Sequence, residues 1–316
     1  MPDPRRLRVT LKDVEEARDR VEGVAFRTPL LPFAAAEGVH LKLESLQRLG
    51  SFKIRGAWNR MSRGTDRERE RGFLTTSAGN HGQAVAWAAR RLGGSCTVYV
   101  PEGAVARKVS AMEAMGARVI PLPHREIMEI MTDDRLERPD GPTYVHPFGD
   151  PFVVAGAGTV GLEIHEDLPE AATVLVPVGG GGLSLGIARA LRELAPRARV
   201  YGVQAEGAAP LAASFASGKA ERLHAAKTVA DGIAASYVFD YMWPLLSESL
   251  AGCLAVSDAQ ILDAMRNVVR DARAVCEPAG AASVAAALAN PQLPRPVVCV
   301  VSGGNADPAL LREVVA

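Results

Sequence analysis

A chain of 316 residues can hold one large α/β unit or two lobes, and either arrangement buries a substantial core. Its 36 basic and 36 acidic side chains balance, so no broad field draws it to nucleic acid or to an anionic membrane surface. No apolar stretch is long enough to cross a bilayer, and the opening residues lack the apolar run of a secretory signal, which makes the cytoplasm the expected compartment.

In chain order, Thr10 is expected to cap a first helix over residues 11–21, with Asp13 reaching back to the cap. Short apolar runs predict strands at residues 40–44, 73–76, 97–100, 118–121, 173–178, 200–204 and 297–301, most of them continuous enough to be covered on both faces. Between them, residues 81–92, 106–115, 183–194 and 258–274 read as helices, and Lys53 stands near the start of another. This alternation predicts the α/β class, with mostly parallel sheets flanked by helices. Residues 71–145 are expected to form a small domain inserted in a larger one made of residues 1–70 and 146–316. The charged stretch 132–142 reads as an exposed loop. Cys96, Cys253, Cys276 and Cys299 are scattered singly, as core thiols are, rather than at metal-ribbon or redox spacing.

Lysine usually lies in solvent, but Lys53 is flanked by Phe52, Ile54, Ala57 and Trp58. Desolvation there would lower its basicity, the condition for attack on a carbonyl to form an imine. The run Gly179-Gly180-Gly181-Gly182 ends a strand and opens a helix, so its backbone N–H groups can turn toward a phosphate; a tight turn with close packing is the plainer reading. No lysine-threonine or lysine-serine pair follows, which excludes a nucleoside-triphosphate P-loop. Ser77-Ala78-Gly79-Asn80-His81-Gly82 occupies the same kind of junction and offers donors for a carboxylate and a phenolic oxygen, though a capped helix start explains it equally. Ser302 at a strand end can donate to a ring nitrogen or simply cap a helix. Gly156-Ala157-Gly158-Thr159-Val160-Gly161 matches a dinucleotide fingerprint, and residues 152–155 can be read as its strand. The acidic residue that should end a second strand about 20 positions on is replaced by the glycine run, so nicotinamide binding is rejected. Lysine, small-residue loop and glycine run together suit an anionic cofactor carrying an aldehyde, pyridoxal 5′-phosphate.

These residues resemble the fold-type-II pyridoxal-phosphate enzymes (tryptophan synthase β-like), and among them the threonine/serine dehydratases and serine racemases. The resemblance rests on Leu41-Lys42-Leu43-Glu44, SAGNHGQ from Ser77, Gly158-Thr159 with Leu162-Glu163-Ile164, VPVGGGGL, Thr228-Val229-Ala230-Asp231-Gly232, Cys276-Glu277-Pro278-Ala279-Gly280 and SGGN from Ser302, in consistent order. It implies that Lys53 holds the cofactor covalently and, once released, takes the Cα proton. It further implies that Phe52 packs on the cofactor, Asn80 bonds its 3′-oxygen, Gly179, Gly180, Gly181 and Gly182 bind its phosphate, and Ser302 meets its ring nitrogen. Ser77, Gly79, Asn80 and His81 would hold the substrate carboxylate.

A serine beside the ring nitrogen leaves the ring largely neutral, so a long-lived carbanion is unfavoured and loss of a β-hydroxyl relieves the charge. The cofactor phosphate is the donor the resemblance implies for the departing oxygen. The expected reaction is therefore dehydration and deamination of L-threonine or L-serine to a 2-oxo acid plus ammonia. Two departures support elimination over racemisation. Ala78 replaces the serine that works on the second face in racemases, and Gln204 and Pro210 stand where those enzymes bind a cation, so no metal is expected unless the match slips onto Glu206. Serine racemase with side dehydratase activity, hydroxyaspartate dehydratase and a ligand-sensing protein without turnover remain alternatives. β-Replacement is weaker because His81 stands where cysteine synthases carry threonine. The chain ends soon after Asn305 without a second module, as in short catabolic enzymes, and the family's habit implies a homodimer.

Overall fold

The computed structural model describes residues 7–132 and 140–316. Two sheets organise it. The larger has the order β1-β2-β10-β7-β8-β9, formed by Leu30–Pro32, Val39–Lys42, Val297–Val300, Thr173–Pro177, Arg199–Ala205 and Gly252–Val256 respectively. All its pairings are parallel except β1 with β2, so a short antiparallel strand closes one edge. The smaller sheet is wholly parallel, in the order β5-β4-β3-β6, from Ala117–Leu122, Cys96–Pro101, Phe73–Thr76 and Thr143–Tyr144.

The apolar runs of the central strands β10 and β7 are buried on both faces, as their continuity predicts. On β10, Val298 and Val300 enter one core with helices α1 (Leu11–Val21), α7 (Pro151–Asp167) and α8 (Gly182–Leu194), while Val297 and Cys299 enter a second core with α11 (Asp258–Ala272) and α12 (Pro278–Ala289). The third core joins the small sheet to α4 (Asn80–Arg91) and to Ala57 and Met61 of α2 (Lys53–Met61). Helix α2 also packs on α7, so it stands between the two sheets and places its first residue at their junction.

The other helices, in chain order, are α3 (Asp66–Arg71), α5 (Ala106–Ala114), α6 (His124–Thr132), α9 (Pro210–Ser217), α10 (Trp243–Ser249) and α13 (Pro308–Val315). Thr10 and Asp13 form the anticipated reciprocal cap of α1. All four cysteines are free, three of them buried. Of the expected loop 132–142, residues 133–139 lie outside the described residues.

One local reading is corrected. Residues 152–155 are helical, not a strand, because Asp150 caps α7 by accepting from the N–H groups of Phe152 and Val153. The dinucleotide-like glycines therefore lie within a helix and serve its packing. A Cβ at Gly156 would lie 2.5 Å from the Arg55 carbonyl oxygen on α2, and one at Gly158 would lie 2.9 Å from the Gly186 carbonyl oxygen on α8. Those contacts let α2 and α8 approach α7 backbone to backbone.

Candidate active site

Lys53 opens α2 and lines a cavity of about 440 Å³ between the two sheets. Its ammonium donates to the Pro147 carbonyl oxygen at 2.8 Å and sits 5.0 Å from the centre of the Phe52 ring. Among the described residues no carboxylate pairs with it. Burial lowers it from the ordinary 10.5 to about 8. The nearby imidazoles remain uncharged for the same reason. Burial pushes His81 well below its ordinary value and His146 down to about 4, and the charge on Lys53 adds to both effects.

His146 shapes the turn that meets Lys53. Its Nδ1 accepts from the backbone N–H groups of Phe148 at 3.2 Å and Gly149 at 2.7 Å, while Nε2 lies 3.1 Å from the Met131 carbonyl oxygen. An acceptor at Nδ1 and a donor at Nε2 define one neutral tautomer. The turn thus holds Pro147 against the lysine and Phe148 against the glycine run.

That run is sterically required. A Cβ on Gly180 would lie 2.1 Å from the Phe148 ring, and Gly181 has φ +94°, in the left-handed region. Gly181 is the N-cap of α8 and supplies no side-chain acceptor; the first intrahelical bond runs from Leu185 to the Gly181 carbonyl. The N–H groups of Gly182 and Leu183 are left without helical partners at the cavity wall. Helix α4 repeats the arrangement. Its N-cap, Gly79, also lacks a side-chain cap, and Gln83 to Gly79 is its first bond. Two helix N-termini, each carrying partial positive charge, face one cavity.

Ser77, Gly79, Asn80, His81, Phe52, Ser302 and all four glycines of the run line this cavity with Lys53, so every site residue singled out in the sequence is brought together. Two details differ from a simple reading of side-chain donors. The Ser77 hydroxyl accepts from the Gly79 N–H at 3.1 Å, and the His81 ring turns away to the Val145 carbonyl at 3.1 Å, leaving the backbone N–H of His81 for the cavity. Ser302 follows β10, is 5 % exposed, and accepts the Phe52 N–H through its carbonyl at 3.2 Å.

Glu277 is the functional candidate to which sequence reasoning assigned no role. It is 7 % exposed, lines the cavity, and accepts from Asn80 Nδ2 at 2.8 Å. Burial, then the nearby Asp231, raises it to about 7. Its place before Pro278 at the start of α12 was a visible signal of a helix start; its burial was not. Lys108 and Asp231 also line the cavity and form an ion pair between α5 and the turn after Ala230.

Behind the lysine, α2 is anchored by a buried charge cluster. Arg55 bonds Glu44 through Nε at 2.8 Å and Nη2 at 2.7 Å, and Glu163 through Nη1 at 2.6 Å. Lys42 joins Glu163 at 2.7 Å, and the Thr28 hydroxyl donates to Glu44 at 2.6 Å. These are the residues of the Leu41-Lys42-Leu43-Glu44 and Leu162-Glu163-Ile164 motifs, now tied to the lysine helix.

The family model described as pyridoxal-phosphate dependent enzyme matches residues 21–303. The chain belongs to that family. It is 39 % identical over 313 residues to a protein named L-threonine ammonia-lyase from Thermotoga maritima, covering 97 % of this chain and 78 % of that one. Its fold matches the processed form of threonine deaminase isoform 2 from Solanum lycopersicum with TM-score 0.85 and 32 % identity, over 96 % of this chain and 93 % of that one. It also matches maize serine racemase with TM-score 0.89 and 31 % identity, over 96 % of each chain. The residues present fit the family's cofactor: a desolvated amine for its aldehyde, an uncapped helix start behind a glycine cradle for its phosphate, and a hydroxyl at the end of β10.

The remaining sites are built differently. Gln204 is fully buried, donates to the Val178 carbonyl at 3.1 Å and accepts from the Leu211 N–H at 2.8 Å, so this amide supports the start of α9. Among the described residues no cluster of histidine, cysteine and carboxylate side chains could hold a metal ion, and no helix is long and apolar enough to cross a membrane.

Proposed function

We propose that the protein is an ammonia-lyase that dehydrates and deaminates L-threonine, with L-serine as a smaller substrate, to the 2-oxo acid and ammonia. The observation that carries this reading is the Lys53 amine, lowered to about 8 by burial and set between two uncapped helix starts. When bound, pyridoxal phosphate supplies the aldehyde that captures the substrate amine and a ring that withdraws electron density from Cα. Lys53 provides the attachment point and, once displaced, the base that removes the Cα proton. The Gly179 to Gly182 backbone binds the phosphate, Phe52 packs on the ring, Asn80 donates to the 3′-oxygen and Ser302 to the ring nitrogen. The start of α4, with Ser77, Gly79, Asn80 and His81, holds the substrate carboxylate through backbone N–H groups.

Loss of the β-hydroxyl follows proton removal, and water lost in elimination is regained when the released enamine hydrolyses. Ala78 lines the cavity without a proton-transferring group, which supports elimination over racemisation. Ile127, Met128 and Met131 on α6, with Phe148 and Phe239, give the cavity an apolar wall suited to the threonine methyl group. One methyl group discriminates by about 1–3 kcal/mol in such a pocket. In this reading residues 71–145 form a small lobe carrying the α4 start, residues 1–70 and 146–316 form the large lobe, and the protein acts as a cytoplasmic homodimer.

The test is a panel of L-threonine, L-serine and hydroxyaspartate read by 2-oxo acid release and D-amino acid formation, repeated with Lys53→Ala. Oxo acid from threonine, lost in that variant, is expected. D-serine in excess of oxo acid, or turnover surviving the substitution, overturns the proposal.

A further inference from the structure

Asn80 contacts two side chains from distant parts of the chain, and together they leave its amide one orientation. The Leu49 carbonyl can only accept, and Asn305 lies 2.9 Å from it, so the Asn305 atom there must be Nδ2. The same Nδ2 donates to Asn80 at 2.8 Å, so the facing atom of Asn80 must be Oδ1. Asn80 Nδ2 is thereby turned to Glu277, which accepts one of its protons at 2.8 Å. Among the described residues the second N–H of Asn80 has no protein acceptor, and Asn80 lines the cavity. Rotating the amide by half a turn would set oxygen against the Glu277 carboxylate and N–H against N–H at Asn305.

The surroundings hold both partners in place. The Glu277 backbone N–H donates to the Gly303 carbonyl at 3.0 Å, and the Asn305 backbone N–H bonds the Glu277 carboxylate. Gly50 leaves room for the Asn305 amide: it has φ +68°, and a Cβ there would lie 2.5 Å from Asn305 Oδ1.

We propose that Glu277 and Asn305 are positioning residues that lock the Asn80 amide so that it presents an N–H, never its carbonyl, to the cofactor's phenolic oxygen. This rests on the reading above that Asn80 meets that oxygen. A donor at this position stabilises the deprotonated phenolic oxygen; a carbonyl there repels it and favours the protonated form. The two forms absorb at different wavelengths, so the relay can be read without turnover.

The experiment compares visible absorption spectra and cofactor dissociation constants of the wild type, Asn80→Ala, Glu277→Gln, Glu277→Gln with Asn305→Asp, and Glu277→Leu with Asn305→Leu. Circular dichroism checks the fold of each. Glu277→Gln retains an acceptor for Asn80 and keeps the long-wavelength band and an affinity within about threefold of wild type. Combining Glu277→Gln with Asn305→Asp reverses both side-chain hydrogen bonds of Asn80 and gives up the bond to the Leu49 carbonyl, shifts absorbance to the short-wavelength form and weakens cofactor binding about tenfold, at least as far as Asn80→Ala. The double leucine variant frees the amide, falls between them, and decides the matter if the reversed pair does not fold. Wild-type spectra and affinity in the folded double variants, with Asn80→Ala shifted, overturn the positioning proposal alone. An unshifted Asn80→Ala overturns the placement of Asn80 as well.

Discussion

Replacing Lys53 with methionine should stabilise the cofactor-free protein at neutral pH. The amine falls from the ordinary 10.5 to about 8 because it is buried with only the Pro147 carbonyl for company, and at about 1.36 kcal/mol per pH unit keeping it charged costs the folded state about 3 kcal/mol. Loss of the Pro147 hydrogen bond offsets about 1 kcal/mol, so the variant should gain about 2 kcal/mol near neutrality. The sign of the pH dependence follows from the lowered value. Between about pH 8 and 10.5 the unfolded chain holds a proton that the folded chain has released, so wild-type stability rises with pH relative to the variant. The cost falls from about 3 kcal/mol at pH 7.5 to about half of that at pH 9.5, which should erase most of the variant's advantage. Urea unfolding of both apoproteins at the two pH values measures this, and the thiols raised by burial cancel in the difference. A variant that is less stable near neutrality, or whose advantage is flat with pH, refutes a desolvated, unpaired amine.

Two further substitutions separate scaffold from site. Arg55→Met leaves Glu44 buried without its guanidinium partner and should cost about 3–5 kcal/mol in the same urea assay; a change under about 1 kcal/mol would show that the cluster is hydrated. Gly180→Ala drives a methyl group into the Phe148 ring, so it should weaken cofactor binding by about tenfold or more, read by fluorescence titration of the apoprotein, and unchanged affinity would mean the phosphate binds elsewhere.

The fold was legible where a run of residues carries its own signal. The continuous run Val297–Val300 is apolar at both alternating sets because each set feeds a different core. The two-residue strand β6 has no such pattern and exists through its pairing with β3. Helices α7 and α12 are buried nearly all round, so they show no polar face from which a helical period can be read, and in α7 the glycines needed for packing imitate a nucleotide fingerprint. At the site, Lys53 was legible because its apolar neighbours announce desolvation. The roles of Glu277 and Arg55 depend on partners 197 and 108 positions away in sequence, Asn80 and Glu163, and no local pattern encodes them.

Helix α2 holds two basic side chains two residues apart whose basicities shift in opposite directions, and the contrast supports the nucleophile proposed at Lys53. Arg55 is surrounded by carboxylates that more than offset its burial, so it stays charged and fixes the helix. Lys53 meets no carboxylate, lies at the helix N-terminus where the backbone dipole opposes positive charge, and has uncharged His81 and His146 as neighbours. Burial, dipole and the missing counter-charge all favour the free amine. A carboxylate introduced beside Lys53 would raise the amine back toward its ordinary value and cut the fraction of free amine near neutral pH. The distribution of acids around one helix thus makes Arg55 an anchor and supports the chemistry proposed for Lys53.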